Sequence, residues 1–160
     1  MAKAKKAKAG KTRRPDAIEL LKRDHADVKK SFKEFEKAKY KDPNAAKEFA
    51  LSICKAITLH AKVEEEIFYP AVRARIGEAD LMNEAQVEHN SAKQLIADIE
   101  RMDAADPMLK ASAMVLSEYV QHHVREEENE MFPKARRLKL DLEGLAEEIL
   151  ARKDQLKGGM

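Results

Sequence analysis

HAKVEEEIFYP at residues 60–70 and HVREEENEMFP at residues 123–133 are one eleven-residue pattern written twice. Each begins with a histidine, places a glutamate four residues later, follows it with a second glutamate and reaches proline ten residues after the histidine. Residues four apart share one face of an α-helix, with Cβ atoms about 5–6 Å apart. His60 with Glu64, and His123 with Glu127, therefore present an imidazole and a carboxylate side by side.

Working outward, each copy lies on an apolar stripe of helical period. Phe49, Ile53, Ile57, His60, Glu64, Ile67 and Ala71 make one seam; Leu116, Val120, His123, Glu127, Met131 and Ala135 make the other. Upstream of the first copy runs a third seam, Ile18, Leu21, His25, Val28, Phe32 and Phe35. Its partner is Met82, Ala85, His89, Ala92, Ile96 and Ile99, each member 64 residues after its counterpart. Asp24-His25 is answered by Glu88-His89. Four of the five histidines thus fall on core-facing stripes, and the chain is a tandem duplication of a helix pair.

The punctuation agrees. Pro15-Asp16 opens a helix running to about Lys39, and Asp42-Pro43-Asn44 opens a second to about Arg75. Gly77 breaks the run, a third helix spans about Glu78 to Met102, and the turn 103–107 leads to a fourth ending near Arg137. A shorter amphipathic piece, Leu140 to Leu156, closes the chain. Short loops between four helices imply antiparallel neighbours. The expected fold is all-α: an up-down antiparallel four-helix bundle with an internal pseudo-twofold repeat, plus a short C-terminal helix. Residues 1–15 are read as a disordered basic tail, 16–139 as the bundle, and 140–160 as the C-terminal helix with a frayed end.

Composition bounds the alternatives. Among 160 residues, 38% are charged and 44% hydrophobic, with five glycines and five prolines, which suits helices better than a sandwich or barrel. Cys54 is the single cysteine, which excludes disulfide stapling and zinc-finger chemistry within one chain. No run of eighteen apolar residues appears, and the basic start lacks an apolar segment behind it, so neither a membrane span nor a secretory signal is expected. A cytoplasmic protein follows. Residues 1–14 hold seven of the 31 basic residues and no acid; the other 24 stand against all 29 acidic residues, a net of −5. The tail reads as a solvated leader, with a weak nucleic-acid contact as its functional alternative. It carries no aromatic residue to stack on bases.

The buried seams carry the chemistry. An ionised carboxylate in an apolar setting is costly unless it is neutralised. Two cations would neutralise Glu64 and Glu127, occupy the imidazoles of His25, His60, His89 and His123, and be bridged by a glutamate oxygen apiece. Imidazole and carboxylate without thiolate suit iron, manganese, zinc or cobalt. Glu65, Glu66, Glu126, Glu128 and Glu130 lie off or beside the stripe and are expected to be solvated; His122 is one residue off the seam and belongs behind the ligands or on the surface. Tyr40, Tyr69 and Tyr119 are read as structural, with Tyr119, one turn from His123, the one placed to contact the site.

Together these motifs resemble the haemerythrin-like, histidine–histidine–glutamate (HHE) cation-binding family. The resemblance rests on Asp24-His25, His60-x-x-x-Glu64-Glu65 with Phe68-Tyr69-Pro70, Glu88-His89, and His123-x-x-x-Glu127-Glu128 with Met131-Phe132-Pro133, and covers about residues 16–138. It implies a bridged, non-haem di-iron centre, one metal taking His25, His60 and Glu64 and the other His89, His123 and Glu127. Iron is the expected metal, with manganese or zinc also suited. Oxygen-carrying members have a further histidine four residues after the one on the third helix; Lys93 stands there, which argues against reversible oxygen carriage. A ferritin-like centre is excluded because no histidine has glutamate three residues before it. The leading expectation is a protein that binds or senses oxygen, nitric oxide or iron, its partner a small diatomic molecule or peroxide. The alternatives are a di-iron enzyme that reduces oxygen or peroxide, and an interaction protein that meets nucleic acid through its tail. The sequence leaves turnover and oligomeric state open.

Overall fold

A computed structural model of the chain describes residues 13–159. The expected disorder of residues 1–15 falls mostly on residues 1–12, which lie outside the described residues. Arg13, by contrast, pairs through both guanidinium nitrogens with Glu19, at 3.0 and 2.8 Å.

Helix α1 spans Ala17–Lys37. Asp16 accepts a hydrogen bond from the Glu19 amide, while the Glu19 carboxylate accepts one from the Asp16 amide. This reciprocal cap satisfies two amides that the first turn leaves without partners. Helix α2, Pro43–Val63, starts with proline where no N–H is needed and with Asp42 accepting from the Asn44 amide. It continues through Glu64–Phe68 into α3, Tyr69–Ile76, which ends at Gly77 with φ of +67°. That left-handed value favours glycine because it carries no Cβ. Helix α4 spans Ala79–Arg101, and α5, Met108–Glu126, continues through Glu127–Met131 into α6, Phe132–Arg137. Helix α7, Leu142–Gly158, closes the described chain.

Helix α1 packs beside α2 and α5, and α4 packs beside α5 and α2, which makes the ring of an up-down four-helix bundle. Helix α7 lies across α1 and α2 at one end, where Ala146 and Ile149 are buried among Ile18, Leu21, Phe68 and Phe132. A second apolar core fills the other end, built from Val28, Phe32, Phe35, Ile53, Ile57, Ile96, Ile99 and Leu116. His25 lies in sequence between Leu21 of one core and Val28 of the other, so a polar belt crosses the bundle between two apolar plugs.

One part of the seam runs differently from expectation. Past Glu64 the fully buried residues are Phe68 and Val72, with Tyr69 4% exposed, while Ile67 and Ala71 are only partly buried. The second copy buries its expected Met131 and Ala135, the equivalents of Phe68 and Val72, and in both copies a widened turn follows the glutamate: the Tyr69 amide donates to the Glu64 carbonyl and the Phe132 amide to that of Glu127. At about 100° per residue an α-helix would place the fifth residue well off the face of the first. A single i→i+5 turn brings it back above. Pro70 and Pro133 lie at the end of each widened turn, where the missing N–H would have served Glu66 and Asn129.

Candidate metal centre

The structure brings all six expected residues together. Glu64 and Glu127 are 0% and 1% exposed, and His25, His89 and His123 are buried beside them, with His60 half-buried. The Nε2 atoms of His25 and His60 approach to 3.2 Å, as do those of His89 and His123. Each carboxylate spans the two imidazole pairs. Glu64 places Oε2 3.2 Å from His60 Nε2 and Oε1 3.1 Å from His89 Nε2. Glu127 places Oε1 3.0 Å from His25 Nε2 and Oε2 3.3 Å from His123 Nε2. Glutamates of the two halves have crossed over, so neither half is a self-contained ligand set.

Behind every imidazole stands a carboxylate. Nδ1 of His25 donates to Glu128, that of His60 to Asp24, that of His89 to Glu65 and that of His123 to Glu88, all at 2.7–2.8 Å. These bonds fix the ring orientations and leave Nε2 facing inward, the arrangement that raises imidazole basicity toward a cation. Glu65 and Glu128 were expected to be solvated. Instead they serve the histidine of the other half, because the carboxylate next to each central glutamate turns toward the neighbouring helix. The doubled glutamate in each copy was the available signal. Lys93 stays out of the cluster and pairs with Glu65 at 2.8 Å.

Tyr69 is the residue the sequence reading missed. The sequence pattern assigns it a structural place, yet its hydroxyl donates to Glu127 in a short contact. The same oxygen lies 3.2 Å from Glu64 Oε1 and 3.2 and 3.1 Å from Nε2 of His89 and His123. The widened turn places it there, five residues after Glu64. Its equivalent in the other half is Phe132, which stacks on His25 at 5.9 Å between ring centres. Tyr119 is half exposed and lines the outer part of a cavity.

Electrostatics ask for positive charge at the centre. Burial disfavours a protonated His60, but the Glu64 carboxylate and the bond to Asp24 outweigh it and push its pKa up to about 10. His123 is likewise held well above the usual imidazole range, by Glu127 and Glu88 against its burial. Burial also opposes ionisation of Glu64, yet His60 and His89 keep it well below the carboxylate range. Burial, with Glu127 and Glu64 beside it, holds the Tyr69 proton well above the ordinary phenol range. A cation competes for the positions these protons occupy. The donor set fits one: among the described residues, Glu64 Oε2 and Glu127 Oε1 are buried without a hydrogen-bond donor.

One side of the centre opens into a cavity of about 50 Å³. Val28, Ile57, Ala92, Ile96 and Val120 form its walls and the four histidines its floor, with Thr58 and Lys93 also lining it. One water needs roughly 10–15 Å³ of such space, so the cavity admits a molecule of a few atoms.

A four-helix bundle with a belt of paired histidines and bridging carboxylates defines a class of metal-binding helical proteins. The comparisons narrow it: residues 16–135 match the Hemerythrin HHE cation binding domain family, and the chain belongs to that family. It is 33% identical over 114 residues to a protein of Nostoc sp. (strain PCC 7120) described as a DNA nickase; the match takes in 71% of this chain. The chain spans about a third of that relative's length, 32%. In fold it is similar to the crystal structure of a hemerythrin HHE cation binding domain-containing protein from Mycobacterium kansasii. The TM-score is 0.77 at 23% identity, covering 91% of this chain and 90% of the other. Among the described residues no helix is long and apolar enough to cross a membrane.

Proposed function

We propose that His25, His60, His89, His123, Glu64 and Glu127 hold two cations, iron first, with manganese or zinc also suited, and that the protein binds or senses a small oxygen- or nitrogen-containing molecule there. The observation that carries this reading is the convergence of four Nε2 atoms and two buried carboxylates whose inner oxygens lack donors. A bound pair of irons would supply Lewis acidity and electron transfer to a molecule such as oxygen, nitric oxide or peroxide. The chain's own residues do the rest. Asp24, Glu65, Glu88 and Glu128 orient the imidazoles, Glu64 and Glu127 tie the two halves together, and the apolar walls of the cavity exclude bulk water. Lys93, tied to Glu65, leaves the fourth position after His89 without an imidazole, which sets the centre apart from a five-histidine oxygen carrier. Elemental analysis with optical spectra under air, peroxide and nitric oxide tests this reading. It expects two metal ions per chain that survive desalting, and a spectrum altered by at least one of the three; a chain that takes up no metal on reconstitution would refute it.

Tyr69 favours a second reading, in which oxygen or peroxide is reduced. A phenol among Glu64, Glu127, His89 and His123 can supply a proton or hydrogen atom at the centre of the belt. Tyr69→Phe is expected to keep two ions, because Phe132 shows that the bare ring fits the equivalent place, and to slow peroxide decay about 100-fold, within the usual reach of a positioned proton donor. Unchanged decay in the fully loaded variant would remove this reading and leave the first standing.

A further inference from the structure

The fifth histidine has company outside the belt. His122 precedes His123 on α5 and so points about 100° away around the helix, where it is exposed to solvent. Its Nε2 lies 3.4 Å from Glu88 Oε2 and 3.7 Å from Glu126 Oε2. One ligand atom from each of the three residues falls within 4.8 Å of the others. His122-x-x-x-Glu126 repeats, one residue earlier, the spacing of His123-x-x-x-Glu127, and Glu88 on α4 closes the triangle. An open cleft of about 430 Å³ surrounds it, to which Asp80 and Glu84 add carboxylates and, among the described residues, no lysine or arginine contributes.

Two further observations join this triangle to the belt. Glu88 faces both ways: Oε1 accepts from Nδ1 of His123 at 2.7 Å while Oε2 faces His122. A gap of about 10 Å³ adjoins both the triangle and the belt, lined by Glu88, Glu126, His123 and Glu127 together with Leu81, Ala85 and Met131. Glu127 is 1% exposed, with Oε2 3.3 Å from His123 Nε2 and Oε1, the oxygen without a donor among the described residues, beside His25. Packing does not require the arrangement, because the other half of the repeat builds its share of the belt without it. There the counterparts of His122 and Glu126 are Leu59 and Val63, and Asp24, the counterpart of Glu88, is engaged by Lys153 at 2.5 Å.

We propose that Glu88, His122 and Glu126 form a third cation position at the surface, from which a divalent cation passes inward past Glu88 to His123 and Glu127. One imidazole and two carboxylates suit iron(II), manganese(II), cobalt(II) or zinc(II). The position is weaker than the belt because it is open to water. The hand-over rests on the two-ion reading of the belt; the surface position does not.

Manganese(II) binding to the full chain, counted by the paramagnetic resonance of the free ion, tests the position. Wild type is expected to bind three ions and the variants His122→Ala and Glu126→Gln two. Anaerobic stopped-flow loading of the metal-free chain with iron(II) tests the hand-over, with loading of the same two belt ions at least tenfold slower in both variants. Three ions in all of these chains, or two in all, overturn the surface position. Loss of the third ion at an unchanged loading rate overturns the hand-over. His60→Ala separates the readings: a wild type that binds one ion, lost in His122→Ala and kept in His60→Ala, retains the surface position and refutes the buried pair.

Discussion

Glu64 and Glu127 each offer two oxygens to two different imidazole pairs, so removing either carboxylate affects both ends of the centre at once. His60→Ala leaves Glu64 Oε2 facing a void and frees Asp24, which is shared with Lys153. Glu127→Ala removes the carboxylate to which Tyr69 donates and which lies 3.0 and 3.3 Å from Nε2 of His25 and His123. Each variant is expected to retain fewer than two ions per chain by elemental analysis. Each is also expected to lose about 3 kcal/mol or more of unfolding free energy, the usual consequence of breaking a buried ion pair from one side. A variant that kept both ions would remove that residue from the ligand set. A second residue-scale expectation concerns Glu19, whose bonds to Arg13 and to the Asp16 amide hold its pKa down at about 2. The folded value lies below the ordinary 4.5, so the Glu19 contribution is present above pH 4.5 and is lost as pH falls through about 2. The difference in melting temperature between wild type and Glu19→Gln should therefore be largest near neutral pH and vanish near pH 2. A constant difference across that range would contradict the assignment.

At the scale of elements, period and punctuation made the helices legible, and one geometric departure hid part of the site. Asp16, Asp42-Pro43 and Gly77 mark helix boundaries that the structure keeps, because each satisfies or frees terminal backbone groups in a way few residue types can. The seam beyond Glu64 is expected to turn Ile67 and Ala71 inward, whereas Phe68 and Val72, four and eight residues on, are buried, and the widened turn adds Tyr69 to them. Nothing in a hydrophobic pattern announces an i→i+5 bond; the hint was the proline that ends each copy. The contacts of α7 were hidden for another reason. Its stripe is short, and Lys153 resembles any solvated lysine until the tertiary fold sets it against Asp24, with its side chain 14% exposed. Asp24 in turn holds Nδ1 of His60, so α7, outside residues 16–135, reaches the metal centre through one carboxylate. Lys153→Met is expected to weaken metal retention about tenfold in chelator competition, the low end for losing a group behind a ligand. Lys93→Met, whose partner Glu65 supports His89 in the same way, should have the smaller effect because Lys93 is 49% exposed in its side chain. Equal effects would mean that exposure does not decide the contribution.

For the molecule as a whole, duplication explains both what was legible and what was not. A repeat fixes equivalent positions by sequence offset, so the belt of histidines and the bundle that carries it could be read without coordinates. Differences between the halves could be located but not interpreted, since Tyr69 against Phe132 and His122 against Leu59 acquire meaning only once neighbours are known. The two ends of the chain should consequently behave in opposite ways when removed. Deleting residues 1–12 takes away five lysines and leaves Arg13 to pair with Glu19. Metal content and melting temperature are expected to stay at their full-length values. Removing residues 142–160 uncovers the apolar end around Ile18, Leu21 and Phe132 and releases Asp24 and Glu66 from Lys153 and Arg152. Ile149 alone is fully buried there, and its loss to alanine costs about 2–5 kcal/mol at such sites. The shortened chain should therefore melt well below full length and retain less metal. Parallel melting curves and metal analyses of the two truncations decide the matter, and a chain lacking 142–160 that matched full length on both would show that α7 is not part of the centre's support.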